Sequence, residues 1–457
     1  MNTNRDEGTA VHERARERLF AAEIAAVLDA PLRVDESAGG RRSVVGQWLM
    51  AAMMLLGVAV AVGVGWLSRG GLDEAQQPGG FDPVFPAVDD VLWGDDGLFS
   101  VTADLEALSV LPERGVRRLA VGASRSGGGP ASVEFLAAVA RIQDLHTLLL
   151  SPGGVPSPEA IRELRAAPHL QTLALSGEHD VPFDAAIAGA CAELVQLRRC
   201  VLSRLPMTRE GLQALGTLPL LDRLWIDGVP ISEEVAAAIG ALRQLRSLDL
   251  ICMPGQRRQE PLTASMLRSI TAAPRLVDLG LSGFLGEPGA LSALSPRLQA
   301  VRLTACDWAG AGDLRDLAAL PGLRSLAWNA PIDAERETAL AEVVGKVPLE
   351  QFEASVPVSP RLLEVLAGAP RLRGLRLQVG SDPGALVAVL PRLRRLELLR
   401  LACEPAPAAN SLQPLQALAN LRRVELVPNT VPGRESLDQL ATELRAMLGE
   451  RVQVAVK

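Results

Sequence analysis

At 457 residues and 48% apolar composition, the chain can bury a large core, but aromatics are only 3% and Tyr is absent, so Leu, Val and Ala must build it. The formal charge of −7 is concentrated: 69–97 sets Arg69 against Asp73, Glu74, Asp82, Asp89, Asp90, Asp95 and Asp96, while 98–457 balances 38 basic against 38 acidic residues. A neutral C-terminal part lacks the basic footprint of a nucleic-acid binder, so no nucleic acid is expected as partner.

The first element in chain order is 11–29, where Val11, Ala15, Leu19, Ala22 and Val27 share one side of a predicted helix and Arg and Glu fill the other. Such a helix can dock on a cytoplasmic partner or on its own copy. Across 43–68 no residue is charged, which is long enough to cross a bilayer. Trp48 and Trp66 are 18 residues apart, about 27 Å along a helix, which places one ring near each interface. The 42 residues before this run are too many for the charged leader of a cleaved signal peptide, so a transmembrane helix at 44–68 is expected.

Arg33, Arg41 and Arg42 flank the span on one side and Arg69 on the other. That asymmetry places 1–43 in the cytoplasm and the long C-terminal part outside it, as in a bacterial inner-membrane protein. Gly57, Ala61 and Gly65, at four-residue spacing, offer a small-residue face for a second copy's helix, and hence a homodimer. Residues 69–97, rich in Gly, Pro and Asp, read as a linker that holds the next domain off the bilayer.

From 98 onward the chain repeats. The pattern Leu-x-x-Leu-x-Leu recurs thirteen times, with its fourth position at Leu119, Leu148, Leu173, Cys200, Leu224, Leu248, Leu279, Val301, Leu326, Phe352, Leu375, Leu399 and Val424. The mean spacing is about 25 residues over these markers. One register has two candidates, since the proline before Leu393 argues for Leu396 where spacing argues for Leu399. Pro-x-Leu opens the pattern at Pro168, Pro219, Pro274, Pro296, Pro321 and Pro370, and the segments between read as helices. Ser157-Pro158 and Ser359-Pro360 are N-cap and first-turn pairs, and Ile161 with Leu164, and Leu267 with Ile270, share an inward face. Strand and helix alternating at this period require parallel strands. Residues 98–114 are expected to cap one end, and a helix over 435–449 with a strand over 452–456 the other.

This pattern resembles the leucine-rich-repeat family over 98–457, with repeat lengths closest to the ribonuclease-inhibitor type and related bacterial members. The resemblance implies an α/β solenoid of about 13 repeats plus caps, with parallel strands on a concave face and helices outside. At the turn after each strand the family usually carries Asn or Cys, and only Cys306 and Asn429 match. The five cysteines are scattered without CxxC; Cys200 and Cys306 fall at interior and turn positions, so both read as buried small side chains.

Because side chains alternate along a strand, pattern positions three, five and seven face outward. Most hold Ala, Gly, Ser or Thr, but the fourth to seventh repeats supply Arg199, Arg223, Trp225, Asp227, Asp249 and Asp278. Trp beside Arg is typical of interface hot spots, and a solvated ion-pair network under Trp is the alternative arrangement. Two loops are longer than their neighbours, 124–130 and 253–261, and the second adds Arg257 and Arg258. A protein or glycan partner on this face is expected. No catalytic residue, cofactor or metal site is expected: His179-Asp180 near Ser176 lacks a nucleophile elbow, and no His has metal-ligand spacing. The leading reading is a membrane-anchored binding protein. A receptor coupling outer binding to the N-terminal segment is its rival, and a hydrolase the remote one.

Overall fold

Leu-lined strands that recur every repeat can only stack side by side, and a computed structural model shows how they do so. It describes residues 98–456, apart from 104, 110, 112–114, 123–129, 151–153, 178–180, 253–260, 309, 331, 380–382, 404–405 and 429–433. The sheet lies in a unit comprising Pro83–Val427 and Gln439–Lys457. The expected transmembrane helix at 44–68, with Gly57, Ala61 and Gly65, lies outside the described residues, as do the segments 1–43 and 69–97. Among the described residues no helix is long and apolar enough to cross a membrane.

The strands are β1 (Leu98–Thr102), β2 (Arg118–Gly122), β3 (Thr147–Leu150), β4 (Thr172–Ser176), β5 (Arg199–Ser203), β6 (Arg223–Asp227), β7 (Ser247–Ile251) and β8 (Asp278–Ser282). They continue with β9 (Leu285–Gly286), β10 (Ala300–Thr304), β11 (Asp307–Trp308), β12 (Ser325–Asn329) and β13 (Gln351–Pro357). The last four are β14 (Gly374–Val379), β15 (Leu398–Cys403), β16 (Arg423–Pro428) and β17 (Gln453–Val456). Among the described residues, fifteen of these form one sheet in sequence order, with β9 and β11 paired apart from it.

Each marker residue pairs with the next marker: Leu119 opposes Leu148, Leu173 opposes Cys200, and Leu279 opposes Val301. Leu375 opposes Leu399, which settles the ambiguous register in favour of the spacing. Phe99 of β1 and Val454 of β17 extend the same ladder at the two ends, as the caps require. Both are edge partners that cover an otherwise open strand.

Burial follows the alternation. Leu224 and Ile226, at positions four and six, are buried, while Trp225 and Asp227 between them are half-exposed. Helices cover the buried face. Ser157 and Ser359 accept the amides of Ala160 and Leu362 at helix starts, with Pro in the first turn, as the sequence predicts. Ile161, Leu164, Leu267 and Ile270 are all fully buried. Not every outer arm is α-helical. The repeat between β8 and β10, with markers only 22 residues apart, uses a 3₁₀ turn at Ala290–Ala293, which spans the same arm with fewer residues. A longer 3₁₀ segment, Ala409–Ala417, accommodates Pro414.

The turn after each strand explains how the array holds together with few turn asparagines. Gly177, Arg204, Gly228, Cys252, Gly283 and Ala305 each stand four residues past a marker. Their backbone amides donate to the carbonyls of Ser203, Asp227, Ile251, Ser282, Thr304 and Asn329 in the next repeat, at 2.7–3.0 Å. The main chain thus forms the bond between turns that the family resemblance assigns to an Asn side chain. At this turn Arg204 (φ 55°), Gly228 (φ 73°), Gly283 (φ 75°) and Ala305 (φ 49°) adopt left-handed backbone, whereas Gly177 and Cys252 make the same bond without it. For Arg204 and Ala305 that conformation costs about 1–2 kcal/mol. Cys306 adds its thiol, which donates to Leu281 O at 3.2 Å.

Candidate functional site

The face of the sheet not covered by helices presents three parallel rows, because register fixes which residues stand beside one another. Position three runs Arg199, Arg223, Ser247, Asp278 across β5 to β8. Position five runs Val201, Trp225, Asp249, Gly280, Arg302 across β5 to β10. Position seven places Ser203 beside Asp227. The six strand residues expected to form a patch are therefore neighbours on one surface. Arg257 and Arg258 lie outside the described residues, as do His179 and Asp180. Ser176, the remaining member of that trio, accepts a hydrogen bond from Arg204 Nη2 at 3.1 Å.

Arg302 is the residue that the sequence reading missed. It projects from β10, crosses β8 above Gly280, and holds Asp249 through Nη2 at 2.7 Å and Asp278 through Nη1 at 2.6 Å. Gly280 is what permits the crossing. A Cβ there would come within 2.0 Å of Asp249 Oδ1. Ser247 Oγ completes the cluster by donating to Asp278 Oδ2 at 3.1 Å. Burial pushes the Asp249 carboxyl up from its ordinary value, against the opposing pull of the Arg302 guanidinium. For Arg302, burial lowers the value, but Asp249 and Asp278 outweigh it and hold the guanidinium firmly charged. The signal was available in the sequence: read down one column of the aligned repeats, an Asp, a Gly and an Arg stand in succession.

Arg199 and Arg223 meet differently. They are direct cross-strand partners. Burial, and then the charge of Arg223, lower the Arg199 guanidinium from its ordinary value. Arg223 is exposed and makes no ion pair among the described residues. Trp225 is half-exposed beside it. Asp227 Oδ2 accepts a hydrogen bond from Ser203 Oγ at 3.0 Å.

A second charged group, also missed, occupies position five farther along. Glu353, Arg376, Arg400 and Glu425 follow one another on β13 to β16. Arg376 Nη1 lies 3.2 Å from Glu353 Oε2, and Arg423 Nε lies 2.8 Å from the buried Glu425 Oε1. Gly374 leaves a shallow depression here between Gln351 and Leu398. These charges pair with one another.

Cys191, Cys200, Cys252, Cys306 and Cys403 are all buried, in line with the buried small side chains expected at Cys200 and Cys306. Burial pushes the Cys191 and Cys306 thiols up to about 12, far from a reactive thiolate. Among the described residues no group of His, Cys, Asp or Glu is arranged to hold a metal ion.

A long parallel sheet with one strand per Leu-x-x-Leu-x-Leu unit and helices or 3₁₀ turns behind it is an α/β solenoid that fits the leucine-rich-repeat architecture. No family model and no curated protein sequence matches the chain. Among solved structures, the TLR13 chain of a TLR13–ssRNA13 complex is 16% identical, with a TM-score of 0.40 over 78% of this chain and 52% of that one. The protein thus spans about half the length of that chain. An internalin (inlF) from Listeria monocytogenes is also 16% identical, with a TM-score of 0.33 over 71% of this chain and 93% of its own. Identities this low concern the fold alone.

Proposed function

We propose that the protein is a membrane-anchored binding scaffold, tethered through 44–68 with its N-terminus in the cytoplasm, that presents the open face of its sheet to a protein or glycan. The observation that carries this reading is a contrast within one surface. Asp249 and Asp278 are both engaged by Arg302, whereas Arg223 and Trp225 face outward with neither an ion pair nor a ring contact of their own among the described residues. Arg199 and Arg223 side by side favour an anionic group set over them, and Trp225 supplies flat apolar area next to it. Such pairs of Arg and Trp often dominate interface energetics.

The test uses the full chain as bait in neutral-lipid nanodiscs, carrying Trp225→Ala or Arg223→Ala. A partner retained by the unaltered protein and lost by both variants, with the thermal midpoint unmoved, supports the site. A partner retained equally by both folded variants removes it. The anchor is tested separately: cysteines introduced in 1–40 should resist a membrane-impermeant thiol reagent added outside, while those on exposed strand ends react. The reverse pattern would invert the orientation.

A further inference from the structure

The neutral charge balance of 98–457 conceals a segregation that only the strand register brings out. In a parallel sheet every strand begins at the same edge. The positions flanking the first pattern leucine, from two residues before it to one after, lie along that entry edge. Over the thirteen repeats, the described residues there include twelve arginines, all exposed, against four half-buried acids, Asp144, Asp222, Glu350 and Glu397. At the opposite edge the caps and first turns of the ten helices from Val133–Val139 to Gly384–Val389 carry ten acids against three arginines.

Helix dipoles account for part of this. The helices run back against the strands, so their C-termini share the entry edge, where cations are favoured, but the effect fades within the last turn. Arg198 and Arg246 stand six residues beyond the helices that end at Ala192 and Gly240, and Arg422 stands five beyond Ala417. Along with Arg117 they make no ion pair among the described residues. Their own carbonyls are fixed by the next repeat, as Arg198 O is by the amides of Asp222 and Arg223 at 3.0 and 3.1 Å. These four, in the first, fourth, sixth and thirteenth repeats, thus carry charge that no ion pair among the described residues uses, whereas Arg324 and Arg373 on the same edge pair with Glu350 and Glu397.

The described chain begins at this same edge. β1 begins at Leu98, paired with Arg118 at the start of β2, on the arginine side. The 29 residues of 69–97 span at most about 100 Å, which bounds how far the edge can stand from the bilayer. We infer that the arginine row along the entry edge docks on the anionic phospholipid headgroups of the membrane in which the chain is anchored. This rests on the anchored reading above. Guanidinium groups suit phosphate esters because they donate two parallel hydrogen bonds. Docking would hold the solenoid on its edge and leave the open face of the sheet clear.

The experiment uses the full chain in nanodiscs carrying a headgroup-attached nitroxide quencher, with one fluorophore at Gln299→Cys on the entry edge or Glu234→Cys on the exit edge. Both positions are exposed, and the five native cysteines are buried. In bilayers of roughly 70% phosphatidylcholine and 30% phosphatidylglycerol, the Gln299 probe should be quenched and the Glu234 probe should not, because each arginine near an anionic surface changes the docked population about fivefold. Pure phosphatidylcholine, high salt, or the combined change Arg198→Ser, Arg246→Ser and Arg422→Ser should release it. The salt titration of the unaltered protein decides the matter if the triple variant does not fold. Equal quenching in both bilayers, or quenching of the Glu234 probe, overturns the inference. So does arginine-dependent capture of single-stranded RNA or an acidic polysaccharide while the Gln299 probe stays bright. Failure of the anchor is separable: a chain that does not float with neutral vesicles loses the anchored reading, yet arginine-dependent flotation with anionic vesicles alone would still support the edge.

Discussion

The β5–β6 and β7–β10 parts of the open face carry similar side chains to opposite ends. On β7 and β8 two carboxylates receive one guanidinium from β10, and the group is complete within the fold. On β5 and β6 two guanidinium groups stand side by side next to a half-exposed indole. A charged surface is therefore not in itself a binding surface. What distinguishes Arg302 from Arg223 is whether a neighbouring strand already supplies the counter-charge.

The comparison can be broken first at its foundation. Leu224→Ala removes a fully buried side chain beneath Trp225 and should cost about 2–5 kcal/mol in chemical denaturation. If Leu224→Ala is mild while Trp225→Ala is severe, the inward and outward rows have been exchanged.

Removing Arg302 comes next. Arg302→Met leaves Asp249 and Asp278 facing each other without their cation, and should cost about 2–4 kcal/mol at neutral pH, between the values for exposed and fully buried pairs. The pH dependence carries the sign. Burial already raises Asp249, and loss of Arg302 raises it further, so the folded variant binds protons that the unfolded chain has released. Its stability should be highest below the ordinary Asp value of about 4 and fall as pH rises through the raised value. A destabilisation independent of pH would mean that Arg302 acts through packing.

Gly280→Ala tests the crossing point by steric means. The new methyl must push Asp249 off Arg302 while Asp278 keeps its bond, so the expected cost is smaller, about 1–2 kcal/mol. A combined Gly280→Ala, Asp249→Asn variant should show less than the sum of the two single effects if the methyl acts through Asp249. Additive effects would place the strain elsewhere.

The smallest effect on stability is expected from Arg223→Ala, within about 0.5 kcal/mol, because the side chain is exposed. Its effect should appear instead in partner capture, at about 1–2 kcal/mol. The pairing of the two readouts separates an open patch from a closed network: Arg302→Met should move the thermal midpoint and Arg223→Ala the capture.

Read from the sequence alone, the thirteen marker positions, the C-terminal cap strand and the inward helix residues all fall where the structure has them. Period and polarity settle them, since a one-residue slip would turn every Leu of a strand outward. The same columns held Arg302, but pairing it with Asp249 meant looking two strands away, past a glycine whose importance lies in the side chain it lacks. The neutral charge count was a sum over the whole domain, and a sum carries no positions. Only the parallel register sorts those charges to opposite edges, because it brings every strand start to one side. The turn ladder depends likewise on backbone geometry: Arg204 and Ala305 give no sign in their residue type of the left-handed conformation they adopt there. Local pattern set the elements; reach between strands and the direction of backbone dipoles, which arise only when repeats are stacked, decided which charges meet and which are left facing outward.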